Sequence, residues 1–243
     1  MTNRALIPIS QTLLVCVFLC VLTETVSAKR RTPAGGRLAV VVDERLSALR
    51  GSPELAGTLL RRISRGVFVA ITGAKTSREG VVFFRVNLTK RTGGWIQRDA
   101  VVSPTRNGDD ERLLKLIKGS EEFDRIVRSR IFLDSFRLSE LRPEVLMIYS
   151  LAAEEAAVHL SRDASRRLDA GEMTAGGAPV FSYFLNYNGL DRYNRQGITF
   201  VLAGAGNGFR YDGEGWREII HRYPRSPQAE EARKRLEALG DRR

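Results

Sequence analysis

Cysteine is almost absent from this chain. Of its 243 residues only Cys16 and Cys20 are cysteines, and both lie in the apolar run 13–22. The remaining chain has no thiol, which excludes a cysteine nucleophile and means that a protein without these first residues has no disulfides. Lipid attachment is also excluded, because Val15 and Leu19 stand where a lipoprotein signal needs a small residue just before the cysteine.

Long hydrophobic runs are missing as well. The run 13–22 is shorter than the roughly 20 apolar residues that a membrane-spanning helix needs. Arg4 precedes it, and Val26-Ser27-Ala28 follows it with small side chains suited to signal peptidase. We therefore predict a cleavable signal peptide over residues 1–28, an exported protein that is periplasmic or extracellular, and no membrane span after cleavage. An uncleaved N-terminal anchor is the alternative.

Histidine is scarce: the chain contains only His159 and His221. Glu155, His159 and Asp163 are four residues apart and share one face if this segment is helical, a spacing compatible with metal ligation. Ordinary charge pairing on a solvated helix gives the same pattern. No second ligand cluster accompanies it, so we predict no metal site.

Signatures of catalysis are also lacking. There is no Gly-x-Ser-x-Gly motif, and the glycine-rich stretch 204–208 is not followed by the Lys-Ser/Thr of a phosphate-binding loop. No pair of carboxylates stands out for sugar cleavage. We predict a protein that is not an enzyme and holds no cofactor; an unrecognised cell-wall hydrolase with dispersed residues remains an alternative.

Positive charge is plentiful. The chain has 39 Lys and Arg against 28 Asp and Glu, a net charge of +11, and loss of residues 1–28 removes one charge of each sign. In a cytosolic protein this balance would indicate nucleic acid, but for an exported chain anionic envelope polymers and lipid head groups are the available partners. Because basic and acidic residues are interspersed, a merely solvated surface explains the pattern equally well. We predict no nucleic-acid partner.

Residues 38–103 carry short apolar runs that are rich in β-branched and aromatic residues and are separated by turn residues. Such runs predict five short strands and a small β-barrel. The runs are 38–42, 66–71, 81–86, 95–96 and 100–102.

After a linker at 104–108 the apolar spacing becomes helical, so that residues 109–243 are predicted to be α-helical. Asp109 or Asp110 is expected to cap the first helix and Ser120 the second, and Pro143 fits the first turn of a third. That third helix should bury Leu146, Tyr149, Ala153, Ala157 and Leu160. A loop is predicted at Asp169–Pro179, a helical segment at Phe181–Phe200, a break at 204–208, and final helices at Trp216–Arg222 and Pro227–Leu239.

The first half resembles bacterial SH3-like domains. The resemblance rests on Leu46 to Pro53, on Leu59 to Val69, and on Gly94-Trp95-Ile96 followed by Ala100-Val101-Val102, which is similar to that family's closing Gly-Trp pair and last strand. The stretch Lys75–Glu79 is a longer insert than the family has and should form a projecting hairpin loop.

This resemblance implies a barrel that holds a peptide or a cell-wall peptide stem. The implied ligand-binding residues are Arg50, Phe84 and Trp95, with Arg50 pairing with a ligand carboxylate. Core packing is the alternative role for Phe84 and Trp95, because large aromatic residues in small barrels are usually buried. Gly94 is expected to permit a close approach of the backbone.

Near the end, the stretch Trp216 to Leu236 resembles the close of a tetratricopeptide-type repeat array. Tyr223-Pro224 should end one helix and Pro227 begin the next, with Ala229, Ala232 and Leu236 facing inward. The earlier helices show no clean repeat.

Together these patterns predict an α+β protein with a signal peptide (1–28), a flexible leader (29–37), an SH3-like β-barrel (38–103), a linker (104–108) and a helical, repeat-like domain (109–243). The expected function is non-enzymatic recognition and scaffolding in the bacterial cell envelope. In that function the barrel binds a peptide and the helical part binds a protein partner. An accessory subunit that binds only through its helices is the first alternative.

Overall fold

A computed structural model describes residues 35–203 and 208–240, and these residues belong to one compact unit. The predicted signal peptide at 1–28 lies outside the described residues, as does most of the leader at 29–37. Within the described part, no helix combines the length and the apolar character needed to cross a membrane.

Seven strands form one antiparallel sheet. Their order across the sheet is β3-β2-β6-β5-β4-β1-β7. The strands are β1 (Arg37–Val41), β2 (Ala48–Arg50), β3 (Leu59–Arg62), β4 (Phe68–Thr76), β5 (Val82–Asn87), β6 (Gly93–Gln97) and β7 (Val101–Val102).

The five predicted strands correspond to β1, β4, β5, β6 and β7. β2 and β3 were not among the apolar runs, because they are short and β3 has the sequence LLRR with all four residues exposed. A hairpin turn is present at the predicted place, since Ser77 N–H donates to the carbonyl oxygen of Val81 and closes the turn between β4 and β5.

The sheet curls around an apolar interior without closing. Leu49 on β2, near one end of the strand order, packs in the same buried cluster as Val101 on β7 at the other end, together with Val69, Val86 and Ile96. In the described part β3 and β7 do not pair with each other. The α+β class is therefore confirmed, whereas an SH3-like barrel remains a prediction.

The two edges of this sheet differ. At the β7 edge the carbonyl oxygen of Val101 accepts hydrogen bonds from Arg106 and Arg112, and Asp109 accepts one from Ser103 N–H at 2.7 Å. Side chains of the following turn and helix therefore satisfy that edge. Among the described strands β3 pairs with β2 alone, and its four residues are exposed.

Helices fill most of the remaining chain. They are α1 (Asp109–Lys118), α2 (Glu122–Ser135), α3 (Arg142–Arg167), α4 (Ala170–Gly176), α5 (Val180–Leu185), α6 (Asp191–Asn194), α7 (Glu214–Arg222) and α8 (Gln228–Gly240). A short antiparallel hairpin of β8 (Phe200–Leu202) and β9 (Phe209–Tyr211) precedes α7.

The long helix α3 agrees with its prediction: Pro143 lies in its first turn, and the five residues predicted to face inward are all buried. Ser120 was wrongly predicted as a cap. Its hydroxyl donates to the carbonyl oxygen of Leu116 at 2.5 Å and accepts from Arg128 at 2.6 Å, and α2 has no side-chain cap.

The loop predicted at Asp169–Pro179 is wrong, because Asp169 accepts a hydrogen bond from Glu172 N–H and caps α4. The predicted helical segment Phe181–Phe200 is only partly helical: it breaks after α5 and ends in β8. The predicted helices at the end of the chain correspond to α7 and α8.

Sheet and helices share a hydrophobic core. Val40, Val42 and Val102 project from the sheet into the cluster that contains Leu113 of α1 and Phe132 of α2. Residues 104–108, predicted as a linker, form the turns between β7 and α1. The division into two domains remains a prediction.

Candidate functional site

Positive charge is concentrated in the sheet part of the chain. Residues 35–103 contain twelve basic and five acidic residues, a net of +7, whereas residues 104–243 contain 23 basic and 22 acidic residues, a net of +1. The sheet part is less than a third of the chain and carries most of its net charge. An anionic partner is therefore attracted to this part first.

Few of these cations are neutralised by a neighbour. Asp43 pairs with Arg45 and Asp99 pairs with Arg98, while Arg65 reaches Asp124 on α2. The other nine basic residues of the sheet part form no ion pair with any described residue. They are Arg37, Arg50, Arg61, Arg62, Lys75, Arg78, Arg85, Lys90 and Arg91.

Three strands align two of these arginines with a tryptophan. Arg50 on β2 lies opposite Trp95 on β6, and Trp95 lies opposite Arg85 on β5. Directly paired residues of antiparallel strands project from the same face. The Arg–Trp–Arg row (Arg50, Trp95, Arg85) is thus a continuous strip in which Trp95 is half-buried and Arg85 is exposed. Gly73 on β4 continues it without a side chain.

The close packing of β6 on β2 depends on Gly94, as the sequence predicts. A Cβ atom at this position would lie 2.7 Å from the carbonyl oxygen of Arg50 and 2.9 Å from Cγ of Leu49. These distances are shorter than real contacts allow. Glycine therefore lets β6 approach closely enough to bring Trp95 opposite Arg50.

Arg50 also holds the hairpin that joins β2 to β3. Its Nη1 donates to the carbonyl oxygen of Gly57 at 2.7 Å, and its Nε is buried without a partner among the described residues. The guanidinium is therefore fixed in place beside Trp95. A ligand carboxylate would meet a positioned group instead of a freely moving one, which lowers the entropic cost of pairing.

Phe84 lies apart from the Arg–Trp–Arg row. Its side chain is 5 % exposed and belongs to the interior cluster of the sheet, and the Arg106 guanidinium lies 5.2 Å from its ring centroid. Neighbouring strand residues project to opposite faces, so Arg85 and Phe84 cannot serve one surface together. Arg85 was not predicted as a site residue. The sequence feature that indicates it is a charged residue between the apolar residues Phe84 and Val86.

Glu155, His159 and Asp163 do share one face of α3. They line a cleft of about 170 Å³ that also contains Arg192. Asp163 pairs with Arg166, and this hydrogen bond holds the pKa of Asp163 below its usual value. Within residues 35–203 and 208–240 no group of metal-ligating side chains has the arrangement of a metal site. The ion pair with Arg166 accounts for Asp163.

Comparison with known proteins gives no relative: no family model, no curated protein and no solved structure matches this chain. Its function must therefore be argued from its own residues.

Proposed function

We propose that this chain is an exported, non-enzymatic binding protein of the bacterial envelope, whose sheet part binds an anionic ligand. The observation that carries the proposal is the set of nine basic residues in the sheet part that form no ion pair with described residues, two of which flank Trp95. Cell-wall peptides and acidic protein tails both present carboxylates. A half-buried tryptophan between two arginines offers such a ligand an apolar contact and charge-assisted hydrogen bonds.

The SH3-like resemblance supports the same ligand class. Gly94-Trp95-Ile96, which carries part of the resemblance, lies in β6 and contributes Trp95 to the Arg–Trp–Arg row. We propose that β1–β7 form a partly open barrel of this kind, in which the two ends of the strand order share one interior without pairing. NMR contacts between the side chains of Leu49 and Val101 in solution would support this barrel, and their absence from a complete assignment would contradict it.

The ligand proposal is tested by sedimenting the purified protein with isolated cell-wall sacculi. We expect Arg85→Glu to weaken binding about tenfold or more, a loss of about 1.4 kcal/mol or more. The matched control is Arg233→Glu on α8, an exposed arginine without an ion pair in the described structure, which changes the net charge by the same amount. Equal weakening in both variants would mean nonspecific attraction and would contradict the proposal.

The salt dependence of binding to sacculi is a second test of the ligand proposal. Exposed charges further apart than the Debye length, about 10 Å at 0.1 M salt, are screened. Binding through the Arg–Trp–Arg row should weaken with salt yet persist in part, because Trp95 contributes an apolar contact. Complete loss of pelleting at high salt would count against recognition by this row.

We propose that the helical part binds a protein partner, and α5 is the helix that favours this. Its side chains Val180, Phe181 and Leu185 are 47 %, 55 % and 50 % exposed, an unusual share of apolar surface for a helix of six residues. This exposed group also favours the alternative in which only the helices bind. Because sheet and helices share a core, point variants separate the two readings better than truncation does.

A pull-down with Phe181→Ser tests the helical contact, with Val158→Ser on α3 as a control of similar exposure. Loss of a partner in Phe181→Ser alone supports a contact at α5, and retention of every partner contradicts it. If the Arg85→Glu variant keeps its protein partner and the Phe181→Ser variant loses it, the accessory-subunit alternative is favoured.

The proposed export has its own readout. Mass spectrometry of the protein from the envelope fraction should find Lys29 at the N-terminus, since cleavage is predicted after Ala28. An intact Met1 in the membrane fraction would instead support the uncleaved anchor.

A further inference from the structure

A cleft separate from the Arg–Trp–Arg row lies between the sheet and the connection from α2 to α3. Its volume is about 700 Å³, within the range of about 300–1,000 Å³ that is typical of small-molecule sites. Leu38 of β1 and Phe68 of β4 line one side, and Phe136 and Leu138 of the connection line the other. The cleft is therefore largely apolar and open to solvent on one side.

Leu138 carries the largest unexplained apolar exposure in the described structure. Its exposure is 98 %, whereas the other exposed large apolar side chains of the described residues reach 55 % at most. It lies at the rim of the cleft, beside the buried Phe136. A ligand in the cleft would cover this side chain and remove its apolar surface from water, which favours binding.

Two polar atoms of the cleft residues have no hydrogen-bond partner in the described part of the chain. Nη1 of Arg106 and Oγ of Ser135 are both buried and both lack a hydrogen bond to any described residue. A buried polar group without a hydrogen bond lowers the stability of the folded protein. Both atoms can donate, so an oxygen acceptor from a ligand would satisfy them.

The acidic side chains of the cleft are already engaged. Asp110 accepts hydrogen bonds from the hydroxyl of Ser139 at 2.8 Å and from the Glu111 backbone, and Asp134 pairs with Arg130 at 3.1 Å. Arg137, by contrast, is exposed and forms no ion pair with a described residue. Among the charged side chains of the cleft, the one with neither an ion pair nor a hydrogen bond to a described residue is therefore a cation, Arg137.

We propose that this cleft binds a small amphipathic carboxylate. The apolar part of the ligand lies against Leu38 and Leu138, and its carboxylate accepts hydrogen bonds from Arg106 and Ser135. Arg106 is held for this role, because its Nη2 donates to Asp109 at 2.5 Å while Nη1 stays unpaired. This site shares no residue with the Arg–Trp–Arg row, so it stands or falls independently of the proposed function.

The test is isothermal titration of the purified protein with octanoate, and with octyltrimethylammonium as the probe of opposite charge. We expect saturable binding of octanoate at one molecule per chain and no comparable binding of the cation. Equal binding of both probes, or no saturable binding of octanoate, would overturn the proposal.

Two variants connect that binding to the cleft. Leu138→Glu should weaken octanoate binding at least about tenfold, because it removes an apolar contact and adds a repelling charge. A leucine that is 98 % exposed contributes little to folding, so this variant should remain folded. Leu185→Glu on α5 makes the same change at a leucine outside the cleft and should bind octanoate like the parent protein.

Ser135→Ala removes the unpaired hydroxyl and should also weaken octanoate binding while leaving the circular dichroism spectrum unchanged. If Leu138→Glu and Leu185→Glu lower the affinity equally, or if Ser135→Ala binds octanoate unchanged, the ligand does not occupy this cleft as proposed.

Discussion

Arg128 on α2 donates a hydrogen bond from Nε to the carbonyl oxygen of Val42 at 3.2 Å, which joins the second helix to the end of the first strand across 86 residues of sequence. The side chain is 7 % exposed, and burial is the largest cause of its lowered pKa. It also donates to the hydroxyl of Ser120 at 2.6 Å. A buried arginine at this junction fixes how the helices pack on the sheet.

Replacing Arg128 should therefore destabilise the whole unit. We expect Arg128→Met to lower the free energy of unfolding by about 2–4 kcal/mol, because it leaves the carbonyl oxygen of Val42 without this donor. Arg130→Met, two residues away, breaks only a pair between partly exposed side chains with Asp134 and should cost less than about 1 kcal/mol. Urea denaturation measures both. Similar losses in the two variants would show that Arg128 does not have this role.

Acid should weaken the same junction. The side-chain hydrogen bond from Arg45 holds the pKa of Asp43 below its usual value. A lowered pKa in the folded state gives stability that is fully present above the unfolded value of about 4 and is lost as the pH falls through the folded value. The stability difference between the parent protein and Asp43→Asn should thus be largest at neutral pH and shrink below about pH 4.

The control for acid is Glu237→Gln, which neutralises an exposed carboxylate on α8 that forms no ion pair in the described structure. Its unfolding free energy should follow that of the parent protein at every pH. If the difference in unfolding free energy between Asp43→Asn and the parent protein stayed constant across the acid range, the lowered pKa of Asp43 would not contribute to stability.

Adding a methyl group at Gly94 tests the close approach of β6 to β2 that brings Trp95 opposite Arg50. We expect Gly94→Ala to lower the free energy of unfolding by about 1–3 kcal/mol, because its Cβ must push against the Arg50 backbone and Leu49. At Gly73 the nearest atom to a new Cβ is Cβ of Arg85 at 3.8 Å, an ordinary contact, so Gly73→Ala should be tolerated. Equal denaturation midpoints for the two variants would contradict the close approach.

The two tryptophans should report different events. Trp216 is fully buried and donates from Nε1 to Glu154 at 2.7 Å, whereas Trp95 is half-buried in the Arg–Trp–Arg row. We expect soluble wall peptides to change the fluorescence of the parent protein but not that of Trp95→Phe. Unfolding should still shift the emission of Trp95→Phe, because the buried Trp216 remains and becomes exposed to water. A ligand response that survives in Trp95→Phe would place the ligand elsewhere.

Much of the sheet follows from local sequence. In its longer strands, apolar residues either alternate with polar residues or follow one another between turn residues. This pattern predicts which residues of the strands are buried. β3 was not predictable in this way because all its residues are exposed and its pairing with β2 is a tertiary contact. Likewise α4 begins at an Asp169 cap within a stretch rich in glycine and small residues, where composition favours a loop.

The site was predictable only in part. The resemblance indicated Arg50 and Trp95, and the structure places them opposite each other. Their partner Arg85 depends on the register between β5 and β6, which single-strand patterns do not encode. The cleft beside Leu138 joins residues from both halves of the chain, so no local motif marks it.

The unequal edges of the sheet limit how copies of this protein can associate. Arg106 and Arg112 donate to the carbonyl oxygen of Val101 on β7, while the outer edge of β3 pairs with no described strand. If two copies paired through β3, the accessible strand edge of each copy would be occupied, and a third copy would find no free edge to pair with. Edge-to-edge growth would then stop at two copies, although an exposed strand with two leucines would otherwise favour indefinite stacking.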